Sequence, residues 1–436
     1  MQWSRYNLLF ESKQNGWLLY NTGSNTFVQM SKGTADFIKQ VKDNPNIDFS
    51  SNPALFFKLR FGGFLVDDGR DDDFFRIMKM KRSIAAYSPK TLALTIAITR
   101  ACNFTCTYCY EKDRIASSIN DEIENKIVTF IDKHKGFNNI WITWYGGEPL
   151  LEFERIKSLT SKVKGLDIKY EAMLVTNGYH LTVDVSSLLS ELNINSVQIT
   201  VDGSREVHDS RRFLIEGMPT YDVIMNNIDS LLWSNWQGKL KLRVNVDETN
   251  SQEFSKFYRF IESKYPDKFD EKVSVYPGFV TDCRSTGHNC HFNFKRKAEF
   301  LLDLATRHNI ITLPVFPKNE LGGCTLTTRN YYVIGTEGEL YKCWDDLGIE
   351  SEIIGNISDL TEWNISLVAE GMVGASHFED EVCKKCFYLP VCSGGCPKVR
   401  MYNNRDGGER DICSYFKNNI KEFLEVHYEH KKKGRI

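Results

Sequence analysis

Long apolar runs are missing from this chain of 436 residues, and no stretch is long enough to span a bilayer as a helix. The start, Met1-Gln2-Trp3-Ser4-Arg5-Tyr6, lacks a basic segment followed by an apolar core, so no export signal is expected and a cytoplasmic location is. Charge of one sign is not in excess either. With 55 Lys and Arg against 57 Asp and Glu, the net charge of −2 excludes a nucleic-acid binder that works by bulk electrostatics. Internal repeats and low-complexity tracts are absent. Cysteine, in contrast, is plentiful: twelve in a chain expected in a reducing compartment point to metal or redox chemistry rather than to disulfides.

Four regions differ in pattern. Up to residue 88, Leu8-Leu9-Phe10-Glu11 and Trp17-Leu18-Leu19-Tyr20-Asn21 read as a hairpin around Lys13-Gln14-Asn15-Gly16. Ser31 is placed to cap a helix through Phe37 and Ile38, and Ala54 to Arg60 reads as a second helix before a Gly62-Gly63-Phe64-Leu65-Val66 strand. The acidic run Asp67-Asp68-Gly69-Arg70-Asp71-Asp72-Asp73 is expected to be a solvated loop, one that could attract a basic peptide. From residue 89 to 310 strand and helix patterns alternate. Strands are expected at Leu92–Thr99, Ile140–Trp144, Ala172–Thr176, Val197–Val201, Leu242–Val246 and Val273–Tyr276, with helices such as Asp121–Lys133 between them, so the class is α/β with parallel strands. From 311 to 413 cysteine and glycine dominate, predicting a loop-rich domain with a metal core. Residues 414–436 read as a terminal helix, with Phe416, Ile420, Phe423, Leu424 and Tyr428 at helical spacing, and a solvated basic tail.

Cys102, Cys106 and Cys109 follow the first of these strands directly. Three thiolates hold three corners of a cubane iron–sulfur cluster and leave its fourth iron without a protein ligand. A structural zinc site is the competing explanation, but zinc takes four ligands and no fourth Cys or His is near in sequence. At the end of the second strand stands Trp144-Tyr145-Gly146-Gly147-Glu148-Pro149, whose paired glycines permit close backbone approach to a small ligand. The C-x3-C-x2-C spacing with Tyr108 before the third cysteine resembles the signature of the radical S-adenosylmethionine (SAM) superfamily. That resemblance implies a partial (β/α)6 barrel with its site at the C-terminal strand ends. It also implies a [4Fe-4S] cluster on Cys102, Cys106 and Cys109 that cleaves SAM to a 5′-deoxyadenosyl radical. Gly146, Gly147 and Glu148 would bind the SAM ammonium through backbone oxygens, and Tyr108 would pack near adenine. Asn177, Thr200 and Asp202 would offer polar groups at the mouth for ribose or carboxylate, and Arg212 would pair with the carboxylate. Each of these last four is equally readable as a turn or helix cap.

Cys324, Cys343, Cys383, Cys386, Cys392, Cys396 and Cys413 resemble the SPASM domain of radical enzymes that act on peptides and proteins. By position, Cys383, Cys386, Cys392 and Cys413 would hold an outer auxiliary [4Fe-4S] cluster and Cys324, Cys343 and Cys396 an inner one. Cys283 or Cys290 could complete the inner set, or its iron could stay open to a substrate thiol. Structural zinc is the alternative for the close pair Cys383 and Cys386. The first 88 residues resemble a winged-helix-like peptide-recognition domain, with a cap that binds nothing as the plain alternative.

Together these resemblances imply a radical SAM maturase that oxidatively installs a thioether or carbon–carbon cross-link in a ribosomally made peptide. It would take electrons from a flavodoxin or ferredoxin and have no nucleic-acid or membrane partner. Its enzymatic rival is an anaerobic sulfatase-maturating enzyme forming formylglycine. In that family an aspartate follows the cysteine at the position of Cys343, whereas Trp344 stands here and Asp345 and Asp346 come next. A non-catalytic iron–sulfur or zinc scaffold is the alternative of another class.

Overall fold

The computed structural model describes residues 1–111, 115–134, 136–280, 292–321 and 323–434. The chain divides into two compact units whose segments are not consecutive. Met1–Ala86, Asn293–Thr327 and Val373–Ile436 form one; Tyr87–Phe292 and Thr328–Met372 form the other. Among the described residues no helix is long and apolar enough to cross a membrane.

In the second unit six strands, Thr91–Thr99, Asn139–Gly146, Lys169–Thr176, Ile194–Thr200, Lys239–Val246 and Val273–Phe279, pair in parallel in that order. The expected strands fall inside these, except that Val201 lies one residue past the end of the fourth. The first strand is buried on both faces, as helix-covered parallel sheets require. Helix Asp121–Lys133 shows how the intervening segments are specified. Asn120 caps it by accepting from the Ile123 amide, three acids sit in its first turn, and Ile123, Ile127, Phe130 and Ile131 bury one face. The sixth strand does not pair with the first among the described residues, so the (β/α)6 barrel is partial.

The sheet does not stop where the strand–helix alternation does. Tyr331–Ile334 adds in parallel beside Thr91–Thr99, and Glu339–Tyr341, Gly355–Asn356 and Asp359–Trp363 continue it antiparallel. Ala97, Tyr331, Val333, Tyr341 and Leu347 form an apolar cluster here, so this cysteine-bearing stretch has a hydrocarbon core of its own. Strands of two to five residues carry too little alternation to be recognised in the sequence.

The first unit opens with the expected hairpin, Asn7–Ser12 with Gly16–Asn21, to which Phe27–Met30 adds a third strand. Ser31 caps helix Lys32–Asp43 through the Thr34 amide, and Asn52 caps Pro53–Phe61. Only Leu65–Val66 of the expected Gly62–Val66 strand is extended, paired with Gln2–Trp3. Leu19, Ile38, Val41, Phe49, Leu59, Phe64 and Leu65 make one core cluster. The terminal helix, Ile420–Lys432, packs Ile420 and Leu424 against Phe10, Leu18 and Tyr20 of the sheet.

The acidic run departs from expectation. Helix Arg70–Ala86 begins within it, and Asp71 is 6% exposed. Its carboxylate accepts from the Ser4 hydroxyl at 3.0 Å and the Arg5 amide at 2.8 Å. Acids in a first helical turn are favoured by the backbone amides gathered there, which a reading of local charge as solvated overlooks. Asp71→Ala is expected to destabilise this unit by about 1–3 kcal/mol, because it strands the buried Ser4 hydroxyl and the part-buried Arg5 amide. Thermal unfolding followed by circular dichroism checks this, with Asp73→Ala, which loses only a first-turn acid paired with exposed Arg76, costing less, about 0.5 kcal/mol.

Candidate functional site

The cysteine loop leaves the first barrel strand at Thr99 and is held by backbone on two sides. The Gly147 amide donates to the Thr99 carbonyl and the Glu148 amide to the Ala101 carbonyl, both at 2.9 Å. A Cβ on Gly146, whose φ is +129°, would collide with the Thr99 carbonyl oxygen; one on Gly147 would collide with that of Ala101 and lie 2.7 Å from that of Arg100. The close approach these glycines permit is therefore to the chain itself, at the point where it enters the cysteine loop. On the other side Phe104–Cys106 pairs antiparallel with Arg212–Leu214, which sets Cys106 opposite Arg212.

Glu148 is fully buried and braces the neighbouring strand end. Its carboxylate accepts from the Leu150 amide at 3.0 Å, the Thr176 hydroxyl at 2.6 Å and the Asn177 amide at 2.6 Å. Burial raises its pKa above the ordinary carboxylate range, and these three hydrogen bonds work against the shift. The Asn177 side chain donates in turn to the Asn103 side chain, inside the cysteine loop, at 2.8 Å. Tyr108 is held likewise: its hydroxyl accepts from Arg212 Nη1 at 2.9 Å and Asn245 Nδ2 at 3.0 Å. Asp202 is fully buried, accepting from the Asn245 amide at 3.0 Å and Arg211 Nε at 3.3 Å. Thr200, half-buried, stands beside Arg243 in the strand register.

Arg211, overlooked in favour of its neighbour, is the hub of this region. It bonds Asp202, Asp247 and Thr249, and its guanidinium lies 4.9 Å from the Tyr108 ring centre. Asn103 and Asn245 also escaped the sequence reading, because an asparagine in a loop or strand carries no spacing signal. Beside the loop, the Tyr110 and Tyr145 hydroxyls hydrogen-bond to each other, and the Tyr145 ring stacks on Trp344 at 6.3 Å. Burial first, then the carboxylates of Glu111 and Asp345, push both phenols well above their usual range.

Among the described residues no three His, Cys, Asp or Glu are grouped to hold a single metal ion. The loop nevertheless suits a thiolate-bound cluster. The Phe104 amide points at Cys102 Sγ from 3.4 Å, and the Arg212 cation lies close enough to Cys106 for each to stabilise the other's charge. Burial alone would lower the Arg212 pKa, yet Cys106, Tyr108 and Asp202 raise it; its Nε stays buried without an acceptor. In the first unit Cys383, Cys386, Cys392 and Cys413 line one cavity of about 50 Å³, together with Arg400 and Lys417. Lys417 Nζ is 3.0 Å from Cys413 Sγ and Arg400 Nη2 is 3.7 Å from Cys383 Sγ. Burial pushes the Cys383 thiol up to about 11, with Arg400 opposing, so four thiols and two cations share a desolvated pocket. Cys396 precedes helix Pro397–Asp406, which packs on the Thr325–Thr327 turn next to Cys324. Cys343 belongs to the other unit, and Cys283 and Cys290 lie outside the described residues.

Residues 96–261 match the family model of the Radical SAM superfamily. The chain is 23% identical over 359 residues to the cysteine-type anaerobic sulfatase-maturating enzyme of Clostridium perfringens (strain 13 / Type A), spanning 74% of this chain and 92% of that one. Its fold is similar to that of native anSMEcpe with bound AdoMet and Cp18Cys peptide (TM-score 0.60, 21% identity, 80% of this chain and 99% of that one). It is also similar to Streptococcus suis SuiB bound to precursor peptide SuiA (TM-score 0.53, 14% identity, 95% and 98%). Residues 96–261 are a radical SAM domain, and the scaffold alternative falls.

Gly147→Ala drives a methyl into the backbone ahead of Cys102, and iron and sulfide per chain after anaerobic reconstitution are expected to drop by one cluster's share while the fold persists. A second expectation concerns pH. His208 is fully buried, and desolvation together with the Arg212 and Arg211 charges places its pKa well below 6.5. A histidine kept neutral by folding contributes stability above its unfolded pKa that is lost as pH falls through it. The unfolding temperature of the unloaded protein should decline from about pH 7.5 to 5.5, and His208→Gln should flatten that decline.

Proposed function

We propose that this radical SAM enzyme oxidises a cysteine or serine side chain within a peptide or protein, in the manner of anaerobic sulfatase-maturating enzymes. The observation that carries the reading is likeness over 92% of such an enzyme's length, with the Cys102 loop and the Gly146-Gly147-Glu148 support in one barrel. Cys102, Cys106 and Cys109 hold the catalytic cluster. When bound, the cluster and SAM supply a hydrogen-abstracting 5′-deoxyadenosyl radical, and the auxiliary thiol sites, when loaded, supply an electron acceptor. Arg212 Nε and Asn103 Nδ2, both buried without a partner, keep hydrogen-bonding capacity for SAM, as does the Thr200 hydroxyl at the fourth strand end. Tyr108, Glu148, Asn177 and Asp202 serve by fixing the loop and strand ends that face it. The outer auxiliary cluster belongs to Cys383, Cys386, Cys392 and Cys413. A flavodoxin- or ferredoxin-type donor reduces the catalytic site.

Conversion of CH2–SH to CH=S removes one hydrogen atom, one electron and one proton, after which water releases hydrogen sulfide and leaves an aldehyde. The proton needs a base. Asp345 fills that role through the Tyr110–Tyr145 hydroxyl pair, whose phenols feel its carboxylate. The aspartate is displaced by one residue from the family position because Trp344 takes that place and stacks on Tyr145.

Cross-link formation in a ribosomally made peptide is the second reading. It is favoured by a likeness to SuiB that spans 95% of the chain and so has to include most of the first 86 residues. In that reading residues 1–88 recognise the peptide's leader.

The test is anaerobic reconstitution, then dithionite, SAM and a peptide carrying Cys-x-Pro-x-Arg. Formation of 5′-deoxyadenosine with formylglycine in the peptide is expected; a product lacking two hydrogen atoms and retaining its sulfur turns the conclusion to the cross-link. Asp345→Asn should slow peptide oxidation about a hundredfold or more and abolish the rising limb of its pH–rate profile. Cys383→Ala with Cys386→Ala should remove one cluster's iron and leave the signal of the catalytic cluster.

A further inference from the structure

Arg243 lies at the fifth barrel strand's C-terminal half, on the face where alternate residues are half-buried rather than buried. Its strand partners are Thr200 and Tyr276. Nε donates to Asn245 Oδ1 at 2.7 Å, and Asn245 Nδ2 reaches the Tyr108 hydroxyl, so two side-chain contacts separate this guanidinium from the cysteine loop. A Cβ at position 278 would lie 2.7 Å from its Cζ and 2.8 Å from Nη2; Gly278 makes the room in which the planar group rests on the sixth strand. The nearby arginines have partners, Arg211 in ion pairs with Asp202 and Asp247, Arg212 donating to the Tyr108 hydroxyl and lying within reach of the Cys106 and Asp202 charges. Arg243 has no carboxylate partner among the described residues, and its two terminal nitrogens donate to none of them. Tyr276 stands beside it on the sixth strand, and the Tyr145 phenol also lies within reach of its charge.

A half-desolvated guanidinium without a counter-ion is costly, and two free N–H groups in a plane match one carboxylate. We propose that Arg243 seats the side-chain carboxylate of an aspartate or glutamate in the peptide substrate, close in sequence to the residue that is oxidised. The inference rests on the peptide reading above and narrows it to acidic peptides. Arg243 is a specificity residue, held flat by Gly278 and aimed by Asn245.

A library of randomised peptides with a fixed central cysteine, incubated with the reconstituted holoenzyme, SAM and dithionite and sequenced after selection for modified members, tests this. The wild type should enrich Asp or Glu at one fixed distance from the cysteine. Arg243→Gln should lose that enrichment, Arg243→Glu should replace it with Lys or Arg, and Arg243→Lys should keep it in part. For one enriched peptide, Arg243→Gln should raise KM about tenfold or more with a smaller change in kcat, and Gly278→Ala should do the same by displacing the guanidinium. Wild-type selection without an acidic preference, or a preference that survives Arg243→Glu, overturns the proposal. So does a weaker equilibrium affinity for SAM alone in Arg243→Gln, which would make the SAM carboxylate the partner. Formation of 5′-deoxyadenosine with no peptide modified would overturn the peptide reading itself, and this inference with it.

Discussion

The contact on which the site depends is backbone against backbone: Thr99 to Ala101 running flush along Gly146 and Gly147. No side chain intervenes, so the segment that carries Cys102 is positioned by the peptide groups of the adjacent strand, the stiffest element the chain has. Everything outward from there is secondary fixation. Glu148 ties the second strand end to the third, Asn177 ties the third to the cysteine loop, and the Phe104–Cys106 pairing ties the loop to Arg212. A loop that must present three sulfurs to an inorganic cube cannot rely on its own conformational preferences, and this one is clamped from two directions.

Charge in the same region is concentrated yet almost entirely internally balanced. Asp202, Asp247, Arg211 and Arg212 are all largely buried, and each acid has a guanidinium in reach. Removing one member would strand its partner in a poorly solvated setting, which makes such networks rigid. Against this background an arginine left unbalanced marks where something from outside is expected. The first unit repeats the theme at a different scale, with Arg400 and Lys417 against a pocket of four thiols.

Much of the barrel was legible because helix-covered parallel strands leave continuous apolar runs and helices leave a 3.6-residue period; helix Asp121–Lys133 was recoverable to the residue. The cysteine spacings and Gly-Gly-Glu-Pro were equally plain, since their chemistry is local in sequence. What stayed hidden depends on distance. Asp71 reads as one acid among several until Ser4 and Arg5 meet it. Arg211 and Arg212 are adjacent and chemically alike; only the fold assigns one to Asp202 and the other to Tyr108. The short strands after residue 328 have no period to detect, and their place in the sheet follows from the exposed edge of Thr91–Thr99, which no local pattern records. The glycine pair was plain, but sequence shows that side chains are missing without showing that the backbone of Thr99 and Ala101 lies against them.

The first unit is assembled from three stretches, and its last helix lies on its first sheet through Leu424 and Leu18. Emerging from the ribosome, the hairpin at residues 7–21 has to wait for Ile420 and Leu424 before Phe10, Leu18 and Tyr20 are covered. The barrel strands are synthesised in the interval, and their unit contains nothing after residue 372. Vectorial synthesis thus separates the two faces of one core by about four hundred residues, and until Ile420 and Leu424 emerge the apolar sheet face is a ready client for chaperones.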